Sequence, residues 1–292
     1  MNLDWDKFLV KPGSKVRLKD FDPHYCADLS KKDGKKLLKN NIKELSDFQE
    51  KFWADNRYSL LIVLQAPDAA GKDGAVRHVM SGLNPQGCRV HSYKAPSKEE
   101  LDHDYLWRHY KDLPERGMIE IFNRSHYENV LATKVNPDLL MYENIPGIDS
   151  PEKADKKFWD ERYEQINHFE KYLFQNGTHI IKIFLNLSKE EQKERLLSRI
   201  NEKEKNWKFS SDDLKARAKW DEFQAAYEEM MEKTSKDYAP WYVVPADKKF
   251  FARAVIGEII VEKFKELDLK YPEGESQEAL LKAKETLLNE QD

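Results

Sequence analysis

The sequence predicts an α/β protein built on a doubly wound, parallel five-stranded sheet with helices on both faces. Two observations lead to this fold class: five short apolar runs that fit buried strands, and long segments of helical periodicity that separate them. Strands that alternate with helices are typical of parallel βαβ units, whose strands are buried on both faces. The chain of 292 residues is long enough for one large domain, so we expect residues 1–292 to form a single domain.

The first elements are an arm and a helix. Residues 1–35 are rich in Gly, Pro and Asp and show no sustained period, so we expect an extended N-terminal arm. Apolar residues at helical spacing from Lys36 to Asp55 predict the first helix. The five strands are predicted at the runs that start at Leu60 (LLIVL), Cys88 (CRVHSY), Gly117 (GMIEIF), His179 (HIIKIFLNL) and Trp241 (WYVVPA).

A charged segment between the last two predicted strands departs from this alternation. Residues 188–234 show helical periodicity, interrupted by the run NWKFSSDD, in which a break is followed by a Ser/Asp helix start. We expect a helical hairpin that stands off the sheet as a lid. After a Pro/Gly break, residues 273–292 are predicted to form an amphipathic C-terminal helix.

Bulk composition excludes several classes of function. The 49 Lys and Arg against 53 Asp and Glu give a net charge of -4, which offers no argument for binding nucleic acid or a membrane surface. The chain shows no membrane-spanning apolar run and no signal-peptide core, and its two cysteines form no disulfide framework. We therefore expect a soluble cytoplasmic protein with no nucleic-acid or membrane partner.

The loop after the first strand has the general form of a phosphate-binding P-loop. Such loops read Gly-x4-Gly-Lys-Ser/Thr between a strand and a helix, because their backbone N–H groups wrap the phosphates and the lysine neutralises them. Here Ala66 replaces the first glycine and Asp73 replaces the Ser/Thr. The strand before the loop and the helical pattern after it favour a phosphate site centred on Lys72; the alternative is a tight turn with a solvated lysine. The other candidate phosphate- and nucleotide-binding residues of the loop are Ala69, Ala70, Gly71 and Gly74.

Two acidic residues of this loop indicate a bound cation. Asp68 and Asp73 would repel a polyphosphate unless a cation lay between them. Mg²⁺ takes hard oxygen ligands and commonly uses one or two carboxylates together with substrate phosphates. The pattern therefore predicts Asp68 and Asp73 as ligands of Mg²⁺, for which Mn²⁺ is a substitute; the alternative for either residue is a solvated turn aspartate.

Polar residues also follow the third predicted strand, in the run IFNRSHYENV. Ligands of open α/β sheets bind at the carboxyl ends of the strands. Asn123 stands where many P-loop enzymes have a metal-holding Asp, and Arg124 is suited to bidentate contact with phosphate. Glu128 lies four residues after Arg124, so an i,i+4 salt bridge is the structural alternative to a role in the site.

The basic residues of the predicted lid are candidates for closing over a phosphate chain. Residues 189–219 contain ten Lys/Arg and seven Asp/Glu, so position rather than number must decide their role. Arg195 and Arg199 share one helix face and Lys208 lies in the break; a solvated helix face is the alternative. The aromatic residues of the hairpin are interpreted as packing residues: Trp207, Trp220 and Tyr227.

Together these runs resemble polyphosphate kinase family 2, and within it the class III enzymes. The similarity extends over nearly the whole chain and includes APDAAGKDG, GLNPQG, DHDYLWRHY, IFNRSHYENVL, NWKFS and APWYVVPADKK. The resemblance implies a P-loop kinase-like fold similar to thymidylate kinase, with a helical lid. It also implies Mg²⁺-dependent movement of phosphate between inorganic polyphosphate and nucleotides.

The resemblance assigns roles residue by residue. The family's Walker-A residues correspond in this chain to Asp68, Lys72, Asp73 and Arg77. The resemblance places Arg124 in the Walker-B-like tip. The lid residues that it implies to face polyphosphate are Arg195, Arg199 and Lys208. The combination of Asn123 and Glu128 is similar to class III, whose members accept nucleoside mono- and diphosphates.

The function expected from these features is phosphorylation of AMP to ADP and of ADP to ATP by polyphosphate, with Asp68, Lys72, Asp73 and Arg124 as catalytic residues. The rival hypotheses are an ATP-dependent nucleoside monophosphate kinase and a non-catalytic polyphosphate-binding module. Expected partners are inorganic polyphosphate, AMP, ADP, ATP and guanine nucleotides. The resemblance to the family, whose members usually assemble as dimers or tetramers, predicts a homo-oligomer. No motif in the chain indicates a base preference.

Overall fold

The computed structural model describes residues 3–290 and contains one sheet of six strands. The strands are β1 (Leu9–Val10), β2 (Ser59–Gln65), β3 (Cys88–Ser92), β4 (Ile119–Asn123), β5 (Thr178–Asn186) and β6 (Trp241–Pro245). Their order across the sheet is β1-β6-β5-β2-β4-β3. Strands β2 to β6 run parallel to their neighbours, and β1 is antiparallel to β6. The predicted α/β class is confirmed, and the sheet is parallel as predicted except for β1.

The number of strands was predicted wrongly, because the N-terminal arm adds a sixth. Leu9 pairs with Tyr242 and Val10 with Trp241 at one edge of the sheet. Two residues are too few to show a strand period, so their pairing depends on contact with β6. The predicted arm, residues 1–35, ends at Ser30, whose side chain forms a capping box with the first turn of the next helix. Residues 1, 2, 291 and 292, which belong to the predicted arm and C-terminal helix, lie outside the described residues.

Helices connect these strands. In the described part of the chain they are α1 (Lys31–Asp55), α2 (Lys72–Val79), α3 (Lys98–Leu101), α4 (Trp107–Tyr110), α5 (Glu128–Val135), α6 (Lys156–Gln175), α7 (Lys189–Asn201), α8 (Ser211–Ala218), α9 (Trp220–Thr234), α10 (Lys249–Glu266) and α11 (Gln277–Leu288). None of those helices combines the length and apolar character needed to cross a bilayer.

The hairpin expected over residues 188–234 corresponds to α7, α8 and α9, but it does not stand off the sheet along its whole length. Met230 and Met231 of α9 are fully buried in the core, in the same cluster as residues of α5 and α6. The run of apolar residues near the end of α9 therefore fixes this helix to the body of the protein. Only α7 and α8, with the turn between them, present a largely charged surface.

The core has two halves, one on each face of the sheet. Alternate residues of β2 enter opposite halves: Leu60, Ile62 and Leu64 pack on one face, and Leu61 and Val63 pack on the other. All seven residues of β2 are buried. The central strand is therefore fixed on both faces, and its carboxyl end is a rigid support for the loop that follows.

Candidate active site

The loop between β2 and α2 has the backbone of a phosphate cradle. Gly71 is the N-cap of α2, with a φ of 102°, and Ala69 has a φ of 63°. A left-handed conformation costs little at glycine but is unfavourable at alanine, so the surrounding contacts must hold Ala69 in place. The strand, the turn and the helix expected from the sequence are all present, and the N-terminus of α2 lies at the carboxyl edge of the sheet.

Lys72 folds back over this loop. Its Nζ donates a hydrogen bond to the carbonyl oxygen of Ala66, at 2.9 Å. Burial lowers the pKa of Lys72 and Arg124 lowers it further, whereas Asp68, Glu128 and Asp73 act in the opposite direction. Because burial and a neighbouring cation destabilise its charged form, an incoming phosphate would relieve the electrostatic cost of this lysine.

The tip of β4 connects directly to the loop. Asn123 donates through Nδ2 to Oδ1 of Asp73 at 2.7 Å and to Oγ of Ser92 at 3.3 Å. Arg124 donates through Nη2 to Oδ1 of Asp68 at 2.9 Å. Asn123 pairs in register with Leu64 of β2, so the two predicted groups of residues meet where adjacent parallel strands end.

Arg124 has a backbone conformation that is unusual for a residue with a side chain. Its φ is 62°, and its N–H donates to the carbonyl oxygen of Leu64 at 3.1 Å. The left-handed turn directs the chain away from the strand immediately after Asn123. Strain of this kind persists only where neighbouring contacts enforce it, and here it coincides with the predicted phosphate-contacting arginine.

Glu128 does not form the helical salt bridge considered as its structural alternative. Helix α5 begins at Glu128, so Arg124 lies before the helix, and the ion-pair partner of Arg124 is Asp68. Burial opposes the charge of Arg124, but Glu128 and Asp68 outweigh it and raise the arginine's pKa. With the Gln65 amide oriented to satisfy its neighbours, its nitrogen donates to Oε1 of Glu128 at 3.1 Å.

The donor set suits a hard divalent cation shared with phosphate. Asp68 and Asp73 each present one carboxylate oxygen to a neighbouring side-chain donor, which leaves further lone pairs for other partners. Within residues 3–290, no group of three or more His, Cys, Asp or Glu residues is arranged to hold a metal. A cation at these two carboxylates would therefore depend on substrate oxygens to complete its shell, which is how Mg²⁺ is commonly bound.

Arg195 has a different environment from the one expected for a lid cation. It is 8% exposed, and all five of its N–H donors have acceptors. Nη1 donates to the carbonyl oxygens of Ala69 (3.2 Å) and Ala70 (2.7 Å), and Nη2 to those of Ala246 (2.7 Å) and Asp247 (3.1 Å). Nε donates to Oε1 of Glu191 at 2.8 Å. In this arrangement Arg195 fastens the P-loop to the segment after β6.

Arg199 and Lys208 lie nearer the surface of the lid. Arg199 donates through Nη1 to Oδ2 of Asp213 at 2.9 Å and to the carbonyl oxygen of Lys208 at 3.1 Å. Lys208 is exposed, and its ammonium lies 5.0 Å from the ring centroid of Trp207. These two residues, unlike Arg195, retain donors that a phosphate chain could use.

Two further cations lie close to α2, one in its last turn and one beside its first turn. Arg77 is exposed on that helix. A Cβ added at Gly74 would lie 3.4 Å from Nη2 of Arg253, so the glycine lets this guanidinium approach the helix closely. Burial lowers the pKa of Arg253, and repulsion from Arg77 and Arg195 lowers it further. The sequence reasoning missed Arg253, since it lies 179 positions from Gly74 and nothing local connects the two.

Gln192 was also missed, although helical spacing gave a signal. It lies three residues before Arg195 on α7, and its Nε2 donates to the carbonyl oxygen of Asp68 at 3.1 Å. Its Oε1 accepts from Nη1 of Arg217 at 2.9 Å. The same face of α7 thus supports three successive residues of the loop, namely Asp68, Ala69 and Ala70.

A buried polar network lies behind the tip of β4. Lys182 of β5 donates to Glu170 Oε2 (2.6 Å), to the Tyr127 hydroxyl (2.9 Å) and to the Thr234 carbonyl oxygen (2.7 Å). The Tyr127 hydroxyl in turn donates to Glu170 Oε1 at 2.7 Å, and His126 lies 3.3 Å from the same oxygen. Because Tyr127 and His126 follow the tip directly, this network fixes the turn from β4 to α5.

A P-loop at the end of the central strand, an arginine at the neighbouring strand tip and a basic helical cover define a phosphotransferase of the P-loop kinase class. The chain belongs to the Polyphosphate kinase 2 (PPK2) family, whose model matches residues 28–272.

Similar proteins cover almost the whole chain. An ADP-polyphosphate phosphotransferase of Rhodopseudomonas palustris is 48% identical over 277 residues, which are 94% of this chain and 94% of that protein. An AMP/ADP-polyphosphate phosphotransferase of Meiothermus ruber is 40% identical over 275 residues, 92% of this chain and 96% of the relative. The crystal structure of Polyphosphate Kinase 2 from Arthrobacter aurescens TC1 superposes with a TM-score of 0.87 at 38% identity, covering 97% of this chain and 96% of that one. These matches agree with the P-loop kinase-like fold expected from the sequence.

Proposed function

We propose that this protein transfers phosphate from inorganic polyphosphate to AMP, giving ADP, and to ADP, giving ATP. The observation that supports this most directly is the junction of the β2 loop and the β4 tip, where Arg124 contacts Asp68 and Asn123 contacts Asp73. The names of the two relatives, which describe polyphosphate phosphotransferases acting on ADP or on AMP and ADP, support the same reaction.

The residues of the site act by positioning and charge neutralisation. The acceptor phosphate oxygen is already ionised at neutral pH, so the reaction requires no strong general base. The N–H groups at the start of α2 and the ammonium of Lys72 hold phosphate oxygens, and Arg124 balances the charge that develops during transfer. Arg199 and Lys208 of the lid, together with Arg77, are proposed to bind further along the polyphosphate chain.

We propose Mg²⁺ as the cofactor, with Mn²⁺ able to replace it. Asp68 and Asp73 would hold the cation, which would supply positive charge that neutralises the substrate phosphates. The hydrogen bonds from Arg124 and Asn123 orient these carboxylates before substrate arrives. Chelation is therefore expected to abolish transfer and addition of Mg²⁺ to restore it.

The first test compares phosphate donors and a P-loop variant. Purified protein with polyphosphate and AMP should form ADP and then ATP. A second assay supplies AMP with ATP as the sole donor, and an ordinary monophosphate kinase would form ADP under that condition. Lys72→Ala should lower kcat by about 10²–10³-fold without changing the melting temperature appreciably. Lys43→Ala, at an exposed position of α1, is the matched control and should keep full activity. Absence of any nucleotide product from polyphosphate would refute the proposal.

Three finer features are also proposed. Guanine nucleotides are expected to be accepted besides adenine nucleotides. A homo-oligomer, either a dimer or a tetramer, is expected from the family resemblance, and light scattering after gel filtration would measure it. A cytoplasmic location is expected because Cys26 and Cys88 are both free thiols; cell fractionation would test it.

A further inference from the structure

Helix α11, near the C-terminal end of the described chain, is not packed into the body of the protein. None of its 12 residues is buried. Residues 270–278, which lead into it, are exposed as well. Among residues 3–290, the hydrogen bonds of α11 connect positions of the helix and its flanking residues, all within 276–289. The rest of the described chain therefore gives this helix no core to pack against.

A helix of this length needs a packing partner. Isolated helices shorter than about 12–15 residues are marginal in water, and most helices in proteins are stabilised by the packing of an apolar face. Such a face is present on α11. We call it the leucine face and define it by four residues with their exposed fractions: Leu280 (49%), Leu281 (60%), Leu287 (66%) and Leu288 (74%).

The leucine face is symmetric about its centre. Leu281 and Leu287 lie three residues from Lys284 on either side, and Leu280 and Leu288 lie four residues from it. At about 3.6 residues per turn, the four leucines span an arc of about 120° with Lys284 in its middle. A two-fold contact between identical chains requires a surface that complements itself after rotation by 180°. The leucine face meets that requirement when two such helices lie antiparallel.

The charges of α11 favour a second copy of the chain over a lipid surface. The helix has two lysines, Lys282 and Lys284, and two glutamates, Glu278 and Glu285. Helices that lie on anionic membranes are instead rich in Lys and Arg on the polar face. In an antiparallel pair centred on Lys284, each Lys284 lies beside Glu285 of the second copy, so its charge has an opposite partner. The aliphatic stem of Lys284 can lie along the leucines while its ammonium stays in water.

We propose that α11 is a contact surface between two copies of this chain. Two α11 helices pair antiparallel about a two-fold axis at Lys284, so that Leu280 faces Leu288 of the second copy and Leu281 faces Leu287. The contact face is about 18 Å long and about 10 Å wide, which is well below the roughly 800 Å² that each partner contributes to a standard interface. Association through α11 is therefore expected to be reversible and to depend on protein concentration. The inference gives the expected homo-oligomer a defined contact, and it does not depend on the proposed reaction.

Removing two leucines tests the contact. Leu280→Gln combined with Leu287→Gln should raise the dissociation constant for self-association at least tenfold, measured by sedimentation velocity over a range of protein concentrations. Glutamine is nearly as good a helix former as leucine, so the substitutions act on the face rather than on the helix. Lys282→Gln introduces the same residue on the opposite side of α11 and should leave the constant within twofold. Lys284→Leu, which makes the centre of the face apolar, should lower the constant at least threefold.

Other partners of the leucine face would give different results. At a protein concentration at which both proteins are dissociated, the double variant should have the melting temperature of the unsubstituted protein, because α11 does not pack on the body. Unchanged self-association of the double variant would overturn the proposal, and so would a lower melting temperature without any change in self-association. Binding of the unsubstituted protein to phosphatidylglycerol vesicles that the double variant loses would assign the face to lipid and would also overturn it.

Disulfide cross-linking tests the antiparallel order. Leu280→Cys and Leu288→Cys should form linked pairs when the two variants are mixed under oxidising conditions, because positions 280 and 288 face each other. Each variant alone should run as a single chain on a non-reducing gel, as should the unsubstituted protein with Cys26 and Cys88. Linkage of each variant to itself, or no linkage in the mixture, would show that the antiparallel arrangement is wrong.

Discussion

Replacing Arg195 by lysine distinguishes a structural arginine from one that contacts polyphosphate. Lysine has three donors, so it can replace at most three of the five hydrogen bonds of Arg195 and leaves at least two acceptors unpaired. A hydrogen bond to a charged group contributes about 1.5–3 kcal/mol, so two lost bonds predict a decrease of at least about 3 kcal/mol in the free energy of unfolding. For a chain of this size that corresponds to a melting temperature lower by roughly 6–12 °C.

The assay is calorimetric or urea unfolding of Arg195→Lys, measured beside Arg199→Lys as the matched control. Arg199 lies one turn later on α7, but its hydrogen bonds come from Nη1 alone, to Asp213 and to the Lys208 carbonyl oxygen. Its substitution by lysine should cost less than about 1 kcal/mol, because lysine keeps the positive charge and has enough donors to replace both hydrogen bonds. If Arg195→Lys unfolds like the unsubstituted protein and instead raises the KM for polyphosphate, the structural reading of Arg195 is wrong and the lid role implied by the sequence is right.

Two further predictions concern buried ionisable groups. Lys182→Met should lower the free energy of unfolding by about 3–5 kcal/mol in urea denaturation, because it leaves the Glu170 carboxylate buried without its cation. Adding Glu170→Gln to this variant should recover part of that loss. Equal stability of the single and double variants would contradict this prediction. Burial, with a contribution from Glu120, raises the pKa of the Cys88 thiol to about 11. The folded thiol then stays protonated while the unfolded one ionises from about pH 9, so the free energy of unfolding should fall as pH rises from about 9 to about 11. In Cys88→Ala, the free energy of unfolding should depend less on pH over this alkaline range.

Much of the fold could be predicted from the sequence because its signals are local. The five predicted strands are continuous apolar runs, and each corresponds to one of β2 to β6. The strand–loop–helix context of Lys72 was likewise visible, since a buried strand, a small-residue turn and a helix follow one another along the chain. Strand β1 was invisible, because two residues have no period and form a strand only when paired with β6.

The candidate site was predictable to the extent that it comes from strand ends. The contacts of the site join the carboxyl ends of two neighbouring strands, with Asp68 and Asp73 after β2, Asn123 at the end of β4 and Arg124 directly after it. The environment of Arg195 was not predictable, because its acceptors include backbone carbonyl oxygens from two distant segments of the chain.

By itself the sequence determined the α/β class, the position of the phosphate loop and the pairs of acidic and basic residues, because apolar periodicity and turn composition act over a few residues. The tertiary structure alone decided which helix covers the loop, and hence that the five donors of Arg195 are used within the protein. It also brought Lys182 and Glu170 into contact and formed a cavity beside the P-loop that is lined from α5, α7, α8 and α9. Such contacts depend on the packing of helices and strands that are far apart along the chain, and no local pattern encodes them.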